Sequence, residues 1–405
     1  MTRKLKKQLG VGGFKTSPNQ KKYVNQVLKS NRFSYGHFLN AFEEKFAKLH
    51  NRKYAISCNS GTSALQIALA TLKEIGKWKD GDEVIVPATT FIATSNIVLQ
   101  NNLRPIFVDV DSKFYNIDCD KIEDKITKRT RAIIPVHLFG LSAEMSRIME
   151  IAKKHNLKVI EDSCEAMFVK YKNKPVGSMG DIACFSTYVA HLITTGVGGI
   201  LTTNNKKYAI ISKSIMNHGR DSIYISMDDD KVGNQKVLWN IINRRFRFVR
   251  MGYSYRLTEM EGALGLGELE KKDKMLNARR RNAAHLIKNL SRFRKYFQLP
   301  VWPKYSEHAF MMFPIVIINK RIKRNKLINF LEQYNIETRY MMPLLNQPIY
   351  KKIFGNDIEN KYPVAKNINQ NGFYIGCHPG LTRQNLNYMV KIFELYFQNE
   401  KLLEK

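Results

Sequence analysis

Three short stretches of the chain hold residues that could do chemistry together. In CNSGTSALQIAL, residues 58–69, Ser60, Gly61 and Thr62 fall between an apolar, β-branched run and the first turn of a helical pattern. Backbone N–H groups at a helix start, together with the positive end of the helix dipole, suit a phosphate, and a glycine there permits close approach. An ordinary N-cap by Ser60 or Thr62 is the structural alternative. No GxGxxG follows a strand and no GxxxxGK[ST] loop occurs, so a single phosphate is implied and not a dinucleotide. In VIEDSCEAM, Glu161 and Asp162 end an apolar run, with Glu165 three residues beyond Asp162. Paired carboxylates at the carboxyl end of such a strand belong to the ligand crevice of an α/β fold rather than to its core; a capping Asp beside a solvated Glu is the alternative. In DIACFSTYVAH, the hydroxyl of Ser186 is followed five residues later by His191, a group that carries protons near neutral pH, although a lone histidine is more often structural.

These residues need a scaffold, and the pattern around them supplies one. Between residues 54 and 203 the runs YAIS, EVIVP, RPIFVDV, RAIIPVHL, KVIEDS, IACFST and GILTTN alternate with helical spacing at 62–72 and 144–155. Runs apolar on both faces, separated by helices, predict a mostly parallel sheet covered on both sides. The KYKNK stretch, with Lys170, Lys172 and Lys174, reads as an exposed hairpin. The polar segment 221–248 reads as a long loop or lid, and residues 257–289 as one long amphipathic helix. A strand at FMMFPIVII, a helix to about Tyr334, NIETRY and a last helix from about Thr382 make a smaller α+β unit. The fold class is therefore α/β, with a large domain over 1–256 and a linking helix plus smaller C-terminal α+β domain over 257–405.

Composition narrows the setting. The formal charge of +31 is spread along the whole chain, with RKLKK, RRFRFVR, ARRRNAAH and NKRIKRNK in separate regions and no helix-turn-helix, finger or RRM signature. Nucleic acid is not the expected partner. No signal peptide and no run of about 18 uncharged apolar residues occurs, so a cytoplasmic protein without membrane attachment is expected. The five cysteines lack CxxC or CxC spacing, which argues for free, mostly buried thiols and against a metal site.

Further motifs, among them RFSYGHFLNAFEEKFAKLHNRKYAISCNSGTSAL, VIVPATTFIATSNIVL, PVGSMGDIACFST, GYSYRLTEMEGALGLGEL and HPGLT, join the three stretches. With them, nearly the whole chain resembles the DegT/DnrJ/EryC1/StrS family of sugar aminotransferases and dehydratases. The resemblance implies the type I aspartate-aminotransferase fold, pyridoxal 5'-phosphate (PLP) or its pyridoxamine form (PMP) as cofactor, and a homodimer with shared active sites. It also implies that Asp162 holds the protonated pyridine nitrogen, the ion pair that makes the ring an electron sink. Phe91 would stack on the ring, Glu165, where many members have Gln, would lie near the 3-hydroxyl, and Gly61, Thr62 and Ser186 would hold the phosphate. Ser254 stands where the family has an Asn reaching the neighbouring subunit's phosphate, and Val197 where many members have Glu.

Family aminotransferases carry, five residues after the phosphate serine, the lysine that bonds to the cofactor aldehyde. Here that residue is His191. Imidazole forms no stable imine but remains a proton carrier. The same replacement marks the family's sugar 3-dehydratases, which implies removal of the 3-hydroxyl from a nucleotide-linked 4-keto-6-deoxy sugar. No CxCxC stretch exists for an iron–sulfur cluster, which favours the branch that uses L-glutamate and a GDP-sugar. A 4-aminotransferase is the alternative, favoured by IETRYMMPLLNQP, and a catalytically dead homologue is a third reading.

Overall fold

The computed structural model describes residues 4–221, 233–244 and 246–402. Its main sheet is built from Tyr54–Cys58 (β1), Glu83–Pro87 (β2), Arg104–Val108 (β3), Thr130–Ile133 (β4), Lys158–Asp162 (β5), Ile182–Ser186 (β8) and Gly199–Thr203 (β9). Lys170–Tyr171 (β6) and Lys174–Pro175 (β7) pair separately as the KYKNK hairpin. The sheet order is β1-β9-β8-β5-β4-β2-β3, with β9 antiparallel to both neighbours and every other pair outside β9 parallel. Strands β2, β8 and β9 are buried along their whole length, as a sheet covered on both faces requires. Because β1, β2, β5 and β8 run the same way, their carboxyl ends open on one edge, and the three chemical stretches follow directly from those ends.

A second sheet, Phe297–Gln298 (β10), Phe313–Ile317 (β11), Thr338–Tyr340 (β12) and Gly372–Ile375 (β13), is antiparallel throughout in the order β10-β11-β13-β12. It shares a separate aromatic core with the last helix, Arg383–Asn399, in which Phe293 and Phe397 stack at 4.2 Å between ring centroids. Met341, Leu344 and Tyr350, by contrast, pack on the core of the main sheet.

Two expectations are corrected. The segment 257–289 is not one helix: Glu259–Glu270 and Lys272–Leu290 are separated at Lys271, whose φ of −110° is not helical. Lysine is a good helix former, so propensity gives no warning; the break is tertiary, since the first helix packs on the N-terminal helices Pro18–Ser30 (α1) and His37–Leu49 (α2) and the second runs into the C-terminal core. The segment 221–248 contains a helix, Gln235–Arg244, tied to Asp221 through the guanidinium of Arg244; its residues 222–232 lie outside the described residues.

Helix α2 begins at Gly36, which has no side chain to cap it. Glu259, only 2% exposed, does so from across the fold: its carboxylate accepts from the amides of Gly36 (2.9 Å), Phe38 (2.9 Å) and Leu39 (3.0 Å). Close packing completes the joint, because a Cβ at Gly262 would meet the Leu39 backbone at 2.7 Å. Losing a buried acceptor that serves several donors leaves each of them desolvated. Glu259→Ala is therefore expected to destabilise the fold by about 2–4 kcal/mol, measured by denaturant unfolding; a change within about 0.5 kcal/mol, the range of ordinary surface substitutions, would show that the capping carries no weight.

Candidate active site

The strand ends enclose a cavity of about 390 Å³. Gly61, Thr62, Phe91, Asp162, Glu165, Ser186 and His191 all line it, seven of the eight residues expected from the sequence. Ser254 does not: it is exposed, paired through its backbone with Asn217, and its hydroxyl accepts from Arg256 at 3.1 Å.

One wall is the start of helix Gly61–Gly76 (α3). Ser60 is the N-cap, with its hydroxyl accepting from the Ser63 amide at 3.0 Å. That settles which residue caps, and leaves Thr62 exposed and the first-turn amides of Gly61 and Thr62 aimed out of the helix end. Gly61 is obligatory here: a Cβ would lie 2.7 Å from that of Ser186 and 3.0 Å from the sulfur of Cys164.

Asp162 closes β5 and is 4% exposed. Its Oδ2 accepts from the Thr94 hydroxyl at 2.8 Å and its Oδ1 from the Cys164 amide at 3.2 Å. Burial pushes its pKa up, and these donors oppose the shift. No ion pair involves Asp162 among the described residues, so its charge awaits a partner. Phe91, 60% exposed although it lines the cavity, offers a bare aromatic face. Glu165 accepts from the Phe139 amide at 2.7 Å, and burial raises its pKa to about 7. Phe139 has φ of 57°, a left-handed conformation costly for its side chain, which turns that amide toward the carboxyl.

His191 sits with Nδ1 3.4 Å from the Ser186 hydroxyl, and its own amide donates to the Tyr188 carbonyl at 2.8 Å. Burial holds its pKa down to about 4, so the ring is neutral, and able to accept a proton, throughout the physiological range. No lysine lines the cavity among the described residues. Lys172 is committed elsewhere, bonded to Ser146 at 3.0 Å and stacked over Tyr171 and Tyr305.

Glu161 is a correction. Strand alternation turns it to the opposite face from Asp162. It is fully buried, accepts from the amides of Gly177, Met179 and Gly180 at 2.9, 2.7 and 2.6 Å, and pairs with His137 at 3.1 Å and Arg52 at 3.5 Å. Burial works to raise its pKa, but His137, Arg52 and Gly180 outweigh it. Glu161 is part of the core and takes no part in the crevice.

The arrangement fits PLP on its own chemistry. A helix end and hydroxyls meet where a Cβ would intrude, a buried carboxylate lacks a cation, and an exposed ring faces the space between them. Sequence reasoning missed Val11, Met311, Met312, Met342 and Tyr374, which form an apolar side of the cavity. The paired methionines in FMMF and YMMP were a weak signal, since Met-rich segments are more often core.

Residues 15–394 match the DegT/DnrJ/EryC1/StrS aminotransferase family. A GDP-perosamine synthase from Caulobacter vibrioides is 33% identical across 95% of this chain and 96% of its own. A GDP-4-keto-6-deoxy-D-mannose 3-dehydratase from Escherichia coli O55:H7 is 29% identical across 92% of this chain and 96% of its own. The solved structure of E. coli GDP-4-keto-6-deoxy-D-mannose-3-dehydratase with bound hydrated PLP matches with a TM-score of 0.85 at 27% identity, over 95% of this chain and 98% of that one. The fold and the cofactor that the sequence resemblance implied are thus those of this chain.

The raised pKa of Glu165 makes a stability prediction. Between the ordinary carboxyl value of 4.5 and about 7 the folded protein binds a proton that the unfolded chain has released, so this residue's contribution declines as pH rises through that window. Glu165→Gln keeps an acceptor for Phe139 and cannot ionise. Measured by denaturant unfolding of the cofactor-free protein, its stability relative to wild type should rise from pH 4.5 to pH 7 and level off above. A constant difference across that range would mean that Glu165 does not titrate there.

Proposed function

The chain belongs to the DegT/DnrJ/EryC1/StrS aminotransferase family, and from that premise we propose that it is a PLP/PMP-dependent 3-dehydratase of a nucleotide-linked 4-keto-6-deoxy sugar, with L-glutamate as amine donor. The observation that carries the reading is the cavity lining itself, which offers His191 and no lysine among the described residues. When bound, the cofactor supplies an amine for the sugar's 4-keto group and a ring that accepts the electron pair freed beside it. Asp162 holds the proton on the ring nitrogen. Phe91 covers the ring face, while Gly61, Thr62 and Ser186 fix the phosphate.

His191 would serve as the base for a proton on the cofactor's 4′ carbon. Its lowered pKa would let the resulting imidazolium hand that proton on to the departing 3-hydroxyl, which would leave as water. A lysine in the same place would compete for the cofactor and carry the proton to the sugar's carbon 4, completing an amination; its absence removes that outcome. The similarity to both GDP-sugar enzymes supports a GDP-linked substrate. The exposed position of Ser254 suits a residue that serves the neighbouring site of a homodimer.

The sequence similarity to a GDP-perosamine synthase favours a second reading, 4-amination of the same substrate. Residue 191 decides between them. His191→Asn is expected to retain cofactor and lower turnover by about two to four decades, measured with the nucleotide-linked 4-keto sugar and glutamate. His191→Lys is expected to bond covalently to the cofactor, trapped by borohydride, and to lose 3-dehydration. Undiminished turnover in His191→Asn, or 3-dehydration that survives in His191→Lys, would refute this role.

A further inference from the structure

The acid at the base of the site is held by a chain of hydroxyls that no established role explains. Thr94 Oγ1 lies 2.8 Å from Asp162 Oδ2, and Thr90 Oγ1 lies 2.9 Å from Thr94 Oγ1. All three side chains are nearly closed to solvent, with exposures of 1% for Thr90, 1% for Thr94 and 4% for Asp162. Chemistry fixes the direction. An ionised carboxylate only accepts, so the single hydroxyl proton of Thr94 is committed to Asp162, and Thr94 must accept from Thr90. With Asp162 ionised the order is therefore Thr90 O–H to Thr94 O–H to Asp162.

We infer that Thr94, oriented by Thr90, is a positioning residue that keeps Asp162 ionised and aimed at the cofactor's ring nitrogen. Three features support it. The bond goes to a charged acceptor in a dry setting, where it is stronger than in water and where solvent cannot replace it. Burial acts to neutralise Asp162, and the hydrogen bonds from Cys164 and Thr94, with His137 nearby, act against it. Finally, Thr94 and Phe91 come from one rigid piece: Phe91 is the N-cap of helix Ile92–Gln100 (α4), and the Thr94 amide donates to its carbonyl at 3.2 Å. The TTFIAT segment therefore carries both Phe91 and the hydroxyl that holds Asp162 within one turn of backbone. The inference rests on the cofactor, which this chain's family shares, and holds whether the net reaction is dehydration or amination.

Affinity of the cofactor-free full-length protein for PLP, titrated by absorbance between about pH 5.5 and 8.5, tests it without reference to turnover. Thr94→Val removes the hydroxyl and keeps the shape. It is expected to weaken binding by about tenfold at pH 7.5, and by progressively more as pH falls, because the carboxyl now takes up its proton at higher pH. Thr94→Ser restores the donor and should bind within about twofold of wild type. Thr90→Val should shift binding in the same direction by a smaller factor, and it decides the matter if Thr94→Val does not fold. Wild-type affinity at every pH in the valine variant that folds, or a Thr94→Ser as weak as Thr94→Val, would overturn the inference, the latter by showing that a hydroxyl at this position does not secure binding.

Discussion

A carboxylate taken out of water at the end of a central strand is the constraint around which this site is arranged. Asp162 is 4% exposed and has hydrogen-bond donors around it but no cation among the described residues. A charge so placed is costly until something positive meets it. The parallel strands ending beside it provide the place, and in the proposed site the protonated ring nitrogen of PLP would be that cation. In the same proposal its phosphate would be held by the helix start at Gly61 and the nearby hydroxyls. No lysine lines the cavity among the described residues, and the proposed chemistry turns on that.

His191 then acquires a meaning that it lacks alone. Half-buried beside Ser186, it is neutral in the physiological range and so able to accept a proton. A group of that kind serves an elimination, in which the proton must reach a leaving hydroxyl, better than an amination, in which it must be returned to carbon. The apolar side formed by Val11, Met311, Met312, Met342 and Tyr374 brings C-terminal residues that pack on the core of the main sheet, and the N-terminal segment, into the same cavity.

Much of this was legible in the sequence because strand ends announce themselves. Asp162, Ser186 and Ser60 each follow an apolar run closely enough that a parallel sheet must bring them together. What stayed hidden depends on tertiary direction. Glu161 and Asp162 are neighbours in sequence, and only the pleat sends one into the core and the other into the crevice. The break at Lys271 and the helix Gln235–Arg244 were missed because lysine tolerates helix and because a charged, amide-rich segment hides a short amphipathic turn. The Thr90–Thr94 pair lay in plain view at helical spacing, but threonines are too common for spacing alone to point at Asp162.

The central claim is that this cavity, with a histidine where a lysine would complete amination, removes the sugar's 3-hydroxyl. The most direct measurement is the mass of the product formed by the wild-type protein from a GDP-linked 4-keto-6-deoxyhexose, PLP and L-glutamate. The account predicts a nucleotide sugar lighter by one oxygen atom that still reacts as a ketone, formed together with 2-oxoglutarate and ammonia. A product in which the keto oxygen has been exchanged for an amine, with the 3-hydroxyl intact, would contradict it.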